Sequence, residues 1–374
     1  MRLRNLALSG GAALGAAAAL NATAAHESGR PLPNPVGGEE GWFEWRGHRV
    51  AWTRHGQGPA MLLVHAIHAA AWNFEWRRAV DRLAAEHTVW TIDLLGFGRS
   101  DRPRLKYTSA LYVQLVRDFL EQQIAEPTVL VGSSLSGAYT VALAAREGTR
   151  GAPRIPALVL VCPTGVTHLA STPGPINDVA RRFVNSPGVG ATMFNALVTK
   201  PSMRMFLSQT YATDGWVTPE LLDAYYATAH QPGARHAVSA FVGMQLNLNV
   251  RDALKRLEMP LLITWGEQAK EVPLTELAAY RSIRPDAEVA MFSPCGSLPH
   301  DERAEEWCAT VLDFAARATE GAVDRAAQLA TGTDGRFADR PVERMAVAGD
   351  AAQGRRIAPA ASSPDERPPL AASA

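Results

Sequence analysis

The sequence is short of the residues that would announce a cofactor or a polyanionic partner. Its 374 residues hold three cysteines, Cys162, Cys295 and Cys308, and none stands at CxxC or Cys/His ligand spacing. Neither a disulfide framework nor a zinc site is signalled, and Cys162 and Cys308 read as core residues. An excess of charge is lacking too, since 37 acidic residues balance 37 basic ones and no basic stripe occurs. That leaves no electrostatic footprint for nucleic acid and makes small-molecule chemistry the better expectation. Metal-ligand spacing and a phosphate-binding loop are both missing, so no metal and no organic cofactor is implied. There is no internal repeat.

Charge is also missing from the N-terminus. After Met1-Arg2-Leu3-Arg4 comes LALSGGAALGAAAALNATAA, uncharged until Glu27, with small residues at Ala22, Ala24 and Ala25. Residues 1–28 therefore read as a signal peptide or a membrane anchor, which makes the expected protein exported or membrane-associated through its N-terminus. A disordered alanine-rich leader on a cytoplasmic protein is the alternative. At the other end, residues 319–374 are rich in Ala, Gly, Pro, Arg and Asp, and their isolated apolar side chains show no period. Such a stretch buries too little surface to offset its ordering entropy and reads as a disordered tail.

Between the ends, short β-rich runs alternate with amphipathic stretches, the pattern of a mostly parallel twisted sheet with helices on both faces. Gly41 to Gly56 alternates with period two around Gly47 and reads as a hairpin. AMLLVHA, TVWTIDLL, TVLVGSS, ALVLVCP, PLLITWG and AEVAMFS read as successive buried strands, and NFEWRRAVDRLAAEH and SALYVQLVRDFLEQQI as helices. One gap breaks this rhythm, because the chain from Thr167 to Leu257 has helical patterns and no convincing strand. The expected organisation is an α/β core over 41–166 and 258–318 with a helical cap, 167–257, inserted between two strands and shaping a pocket over the strand ends.

The chemistry-bearing stretch is Val131-Gly132-Ser133-Ser134-Leu135-Ser136-Gly137. It fits a nucleophile elbow, G-x-S-x-G, except that Ser136 replaces the second glycine. Only Ser134 occupies the tip; the plainer alternative is a serine capping a helix. LLVHAIHAAAWNFEW places His65-Ala66-Ile67 at the end of the first buried strand, where the backbone amides of Ile67 and Leu135 would hold a developing oxyanion. A glycine-rich loop, IDLLGFGRSDRP, follows a further strand.

Together these motifs resemble the α/β-hydrolase superfamily from about Gly41 to Arg317. HA stands where that family has HG, and DLLGFGRSD and VGSSLSG match its loop and elbow. The resemblance implies the α/β-hydrolase fold. A serine rather than an aspartate at the elbow implies acyl chemistry rather than the dehalogenase or epoxide hydrolase branches.

Two positions depart from the family. Its acid belongs in W-G-x-x-D-x-x-V-P, where this chain has Trp265 to Pro273 with Ala269 in the acid position. Its histidine belongs in G-H-x-P-H-x-E, where this chain has Gly296 to Glu302 with Ser297 in the histidine position. A serine hydroxyl is a weak nucleophile unless a base takes its proton, and losing a triad histidine elsewhere costs turnover roughly a millionfold. Three residues of chain reach at most roughly 10 Å, so His300 is a candidate displaced base, with a structural role as its alternative. His68, in the oxyanion loop, is a weaker candidate, and His65 reads as structural. Glu267 and Glu271 flank the vacant acid position, the first expected along the strand end and the second in solvent. Tyr225, Tyr226, Trp216 and Phe241 are candidate pocket residues, with core packing as the alternative.

Three readings follow. The first is a hydrolase or acyl-transfer enzyme on an apolar ester-like small molecule, with Ser134 as nucleophile, Ile67 and Leu135 as oxyanion amides and His300 as base. The second is a non-catalytic binding protein that kept the pocket. The third is a lyase or isomerase that uses the oxyanion amides without a covalent step. Substrate and oligomeric state stay open.

Overall fold

The computed structural model describes residues 21–22, 30–147 and 155–332, of which 321–332 are described by backbone alone. The chain divides into two compact units, Met1–Ala326 and Ala327–Ala374. The sheet and the cavity belong to the first.

Eight strands form one sheet in the order β1-β2-β4-β3-β5-β6-β7-β8. They are β1 Glu39–Trp45, β2 His48–His55, β3 Ala60–Val64, β4 Thr88–Ile92, β5 Thr128–Ser133, β6 Leu158–Val161, β7 Leu261–Gly266 and β8 Glu288–Phe292. β1 and β2 pair antiparallel, β2 joins β4 antiparallel, and every other pairing is parallel. The hairpin turn has positive φ at both Arg46 and Gly47, the geometry that matches a two-residue turn to strand twist.

Strands β3, β5, β6 and β7 are buried along their whole length, and period two sorts their side chains to opposite faces. Met61, Leu63, Val129, Val131, Val159 and Leu262 pack on one side with Trp76, Trp307 and Phe314. Leu62, Val64, Leu130, Leu160 and Ile263 pack on the other with Tyr112 and Tyr139.

The helices are α1 Val80–Leu83, α2 Ser109–Phe119, α3 Leu135–Glu147, α4 Pro175–Val184, α5 Val189–Leu197, α6 Lys200–Thr210, α7 Pro219–Ala229, α8 Arg235–Val242, α9 Arg251–Lys255, α10 Leu274–Ile283, α11 Pro299–Glu302 and α12 Ala304–Gly332. Helices α4 to α8 lie between β6 and β7. α2 begins where the Thr108 hydroxyl accepts from the Leu111 amide at 3.2 Å.

Three expectations need correction. AEVAMFS, expected as a buried strand, forms the edge strand β8, in which only Phe292 is buried because no further strand covers its outer side. The helix expected over NFEWRRAVDRLAAEH is broken into a 3-10 turn, Asn73–Trp76, and the single turn of α1. Polar groups there are drawn to the sheet loops instead: the Asn73 amide donates to Asp93 Oδ1 at 2.8 Å and the Asn73 side chain to Thr91 at 2.9 Å. The tail expected to be disordered from 319 is helical as far as Gly332. An alanine-rich extension grows cheaply from a helix whose earlier turns are docked on the sheet, because nucleation is already done. Residues 333–374 lie outside the described residues, as does the expected signal peptide or anchor apart from Asn21 and Ala22. Among the described residues no helix is long and apolar enough to cross a membrane.

Candidate active site

Strand β5 ends at Ser133 and α3 starts at Leu135, so Ser134 stands alone at the tip with φ 50°. A side chain other than glycine is strained there, and it persists because the surrounding packing dictates it. A Cβ on Gly132 would come within 2.8 Å of Gly137 Cα, and one on Gly137 would meet Pro163 Cβ at 3.1 Å. Serine fits at 136 for a second reason, since its hydroxyl donates to the His65 carbonyl at 2.5 Å and ties the elbow to the loop after β3.

That loop is held from several sides. His65 is fully buried, and its Nε2 accepts from the Leu94 amide at 3.0 Å. The proton therefore sits on Nδ1, which donates to the Ala66 carbonyl at 2.7 Å. Burial lowers the His65 pKa, so the ring stays neutral. The Ala66 amide donates to Glu75 Oε2 at 2.9 Å. The next amide, of Ile67, and the amide of Leu135 find no acceptor among the described residues. Two unbonded amides beside an elbow tip are what a developing oxyanion requires.

A cavity of about 180 Å3 opens at Ser134. Its walls come from the chain just past β3, β5, β6, β7 and β8, closed over by α6, α7 and α8. Ile67, Leu169, Phe206, Leu207 and Phe241 make it mostly apolar. Of the aromatic candidates, Tyr225 and Phe241 line it, whereas Trp216 stacks on Tyr211 and Tyr226 on His230 away from it.

Besides the elbow serines, Thr164 and Thr210, its polar groups are Glu75, Glu271, His68, His168 and Ser297. Glu75 is 2 % exposed, and burial pushes its carboxyl up to about 8 against the opposing pull of the Ala66 amide and the Ser133 hydroxyl. Burial raises Glu271 to about 7, so this side chain faces the cavity rather than the solvent expected for it. His68 packs between Phe206 and Tyr225, its Nδ1 accepting from the Ala70 amide at 3.3 Å, and burial lowers its pKa to about 3. Glu267 is exposed.

His300 is not among the cavity walls. Its ring is fully buried, 4.3 Å from Trp76 and 5.7 Å from Trp307 between centroids, and its Nε2 faces Glu75 Oε1 at 3.6 Å. Burial, with Arg77 adding to it, lowers its pKa to about 3. Glu75 is thus the group that meets both the cavity and His300. The neighbours of His300 in sequence are structural: Asp301 pairs with Arg77 at 2.7 Å and accepts from the Tyr211 hydroxyl at 2.6 Å, and Glu302 accepts from the Gly296 and Ala212 amides.

At the two substituted positions, Ala269 sits half-buried in the turn after β7, and the Ser297 hydroxyl is buried at the cavity wall without a hydrogen-bond partner. No imidazole among the described residues bonds the Ser134 hydroxyl. Sequence reasoning missed Glu75, which sits in an amphipathic run and carries no motif. It also missed His168, whose loop is held by Glu276: that buried carboxylate accepts from the amides of Val166, Thr167 and His168 at 2.7, 2.8 and 2.9 Å.

Comparison with known proteins bears on the family and the fold. A family model described as the alpha/beta hydrolase family matches residues 61–311. An uncharacterized protein of Mycobacterium tuberculosis is 28% identical over 270 residues, 69% of this chain and 76% of its own. The 2-hydroxymuconate semialdehyde hydrolase of Pseudomonas sp. strain CF600 is 26% identical over 277 residues, 72% of this chain and 87% of its own. Among solved structures, the meta-cleavage product hydrolase of Pseudomonas fluorescens IP01 superposes with a TM-score of 0.62 at 20% identity, covering 76% of this chain and 100% of that one.

Proposed function

The chain belongs to the α/β hydrolase family, and on that premise we propose that it is a serine-nucleophile hydrolase or acyl-transfer enzyme for an apolar ester-like small molecule. The observation that carries this reading is Ser134 at φ 50° beside the unbonded amides of Ile67 and Leu135, in one largely apolar cavity. Relatives with a named activity include hydrolases, which supports the general class.

In this reading Glu75 replaces the missing imidazole. Ser134 Oγ attacks the carbonyl carbon while its proton passes to the Glu75 carboxylate, and the negative charge gathers on the carbonyl oxygen against the two amides. Collapse breaks the bond to the leaving alcohol, which takes the proton back from Glu75. Water then repeats the sequence on the acyl-serine, and a second alcohol in its place gives acyl transfer. With its carboxyl raised to about 8, Glu75 is about one-tenth ionised at pH 7, so the rate rises with pH toward 8. His300, neutral behind it, acts through Glu75 rather than on Ser134.

Fluorophosphonate labelling tests the nucleophile. Labelling of the wild type that disappears in Ser134→Ala is expected, and equal labelling of both proteins would refute it. A second reading, binding without turnover, draws on the missing imidazole at Ser134. Its signature is an apolar ligand bound equally well by wild type and Ser134→Ala, with neither protein labelled.

A further inference from the structure

The inserted helices turn apolar side chains the wrong way for a helix packed on a soluble core. Among the described residues, eight of the eleven large apolar side chains that are exposed lie between Ile176 and Val242. On α4 they form a stripe: Ile176, Val179 and Phe183 are 79%, 65% and 49% exposed at positions i, i+3 and i+7, one helical face. The neighbouring α5 adds Val189 and Leu197, and α6 adds Met205 and Phe206. Concentrated exposure of this kind marks an interaction surface.

Three features choose the partner. Residues 175–206 carry four basic side chains, Arg181, Arg182, Lys200 and Arg204, against one acidic, Asp178, in a chain whose net charge is zero. Asp178 pairs with both Arg181 and Arg182, and Lys200 pairs with Asp223, so the positive excess of this face lies on α4, where two arginines share one carboxylate, and at Arg204. An apolar face with a basic surround matches an anionic lipid surface, whereas pairing it with its own copy would bring like charges together. The N-terminal chain also arrives here. Asn21 Nδ2 donates to Thr192 on α5 at 2.9 Å, and Asn195 on the same helix donates to Asn21 Oδ1 at 2.8 Å. The segment that precedes it, 5–20, contains no charged residue. Finally, Phe206 belongs to both surfaces: it is 42% exposed and it lines the cavity at Ser134.

We propose that α4, α5 and α6 form a docking face for an anionic phospholipid bilayer. Phe206 stands at the point where an apolar molecule passes from lipid into the cavity. This surface is independent of the chemistry assigned to Ser134.

The cysteines help the test, since all three are buried. A cysteine introduced by Val179→Cys in the full-length protein takes a nitroxide label selectively. Its accessibility to oxygen and to a water-soluble nickel chelate is then measured on phosphatidylcholine vesicles with and without phosphatidylglycerol. Glu258→Cys serves as the control, exposed just before β7 at the opposite end of the strands from the cavity. The expected result on vesicles containing phosphatidylglycerol is that oxygen accessibility exceeds nickel accessibility at 179, while 258 stays aqueous. Aqueous behaviour at both sites in vesicle-bound protein would overturn the proposal. So would shielding of 179 that appears without vesicles and grows with protein concentration, because a second copy would then be the occupant.

Discussion

Replacing Glu75 with glutamine removes one buried ionisation and keeps the shape. The glutamine carbonyl still accepts from the Ala66 amide, so the oxyanion loop keeps its anchor. In the unfolded chain the Glu75 carboxyl loses its proton near the ordinary value of 4.5; in the folded protein burial holds it until about 8. Between those values the folded state binds the extra proton, so the contribution of Glu75 to stability falls as pH rises through the window. A difference of about 3.5 pKa units corresponds to about 5 kcal/mol once pH exceeds both values. Relative to the wild type, Glu75→Gln gains about 1 kcal/mol at pH 5, about 3 at pH 7 and about 5 at pH 9. Urea unfolding of both proteins across that range measures it. A stability difference that stays flat with pH would refute the account of Glu75 as a proton-holding carboxyl. The same variant should lose serine labelling and the rise of rate toward pH 8, because an amide accepts no proton from Ser134.

Other expectations concern the vacated triad and the ion pair behind it. Placing the family's residues back with Ala269→Asp and Ser297→His should raise esterase turnover by about a hundredfold or more, the usual contribution of a positioned base. An unchanged rate on model esters would mean that the Ser297 position does not face the reacting serine. Arg77→Ala leaves the fully buried Asp301 carboxylate with the Tyr211 hydroxyl as its remaining side-chain partner. The expected cost is about 3 to 5 kcal/mol in chemical denaturation, and a loss below about 1 kcal/mol, typical of a solvent-exposed pair, would show that water reaches the site.

Strands β3, β5, β6 and β7 were legible because each is a short apolar run and parallel strands bury both faces, so they need no alternation to be found. The elbow was legible because its requirement is local: small residues within a few positions of Ser134. The two departures, Ala269 and Ser297, were legible against the family pattern, and the structure puts Ser297 at the cavity wall. Legibility failed where a side chain's partners are distant in sequence. Glu271 stands beside the vacant acid position, yet its direction depends on how the chain past β7 folds under α6. His300 lies three residues from the vacated histidine position, close enough for the chain to reach, but its ring is held among Trp76, Trp307 and Glu75.

Sequence alone therefore determined the sheet and the elbow stretch, since periodicity and motif spacing are properties of neighbouring residues, and it put Ala269 and Ser297 where the family resemblance implies an acid and a histidine. Tertiary structure alone decided that Glu75, from a broken helical run, joins Ser134 at one cavity. It also decided that the apolar stripe of α4 faces outward. Period 3.6 shows that a stripe exists, but only the packing of the remaining helices chooses the side that is left for a partner.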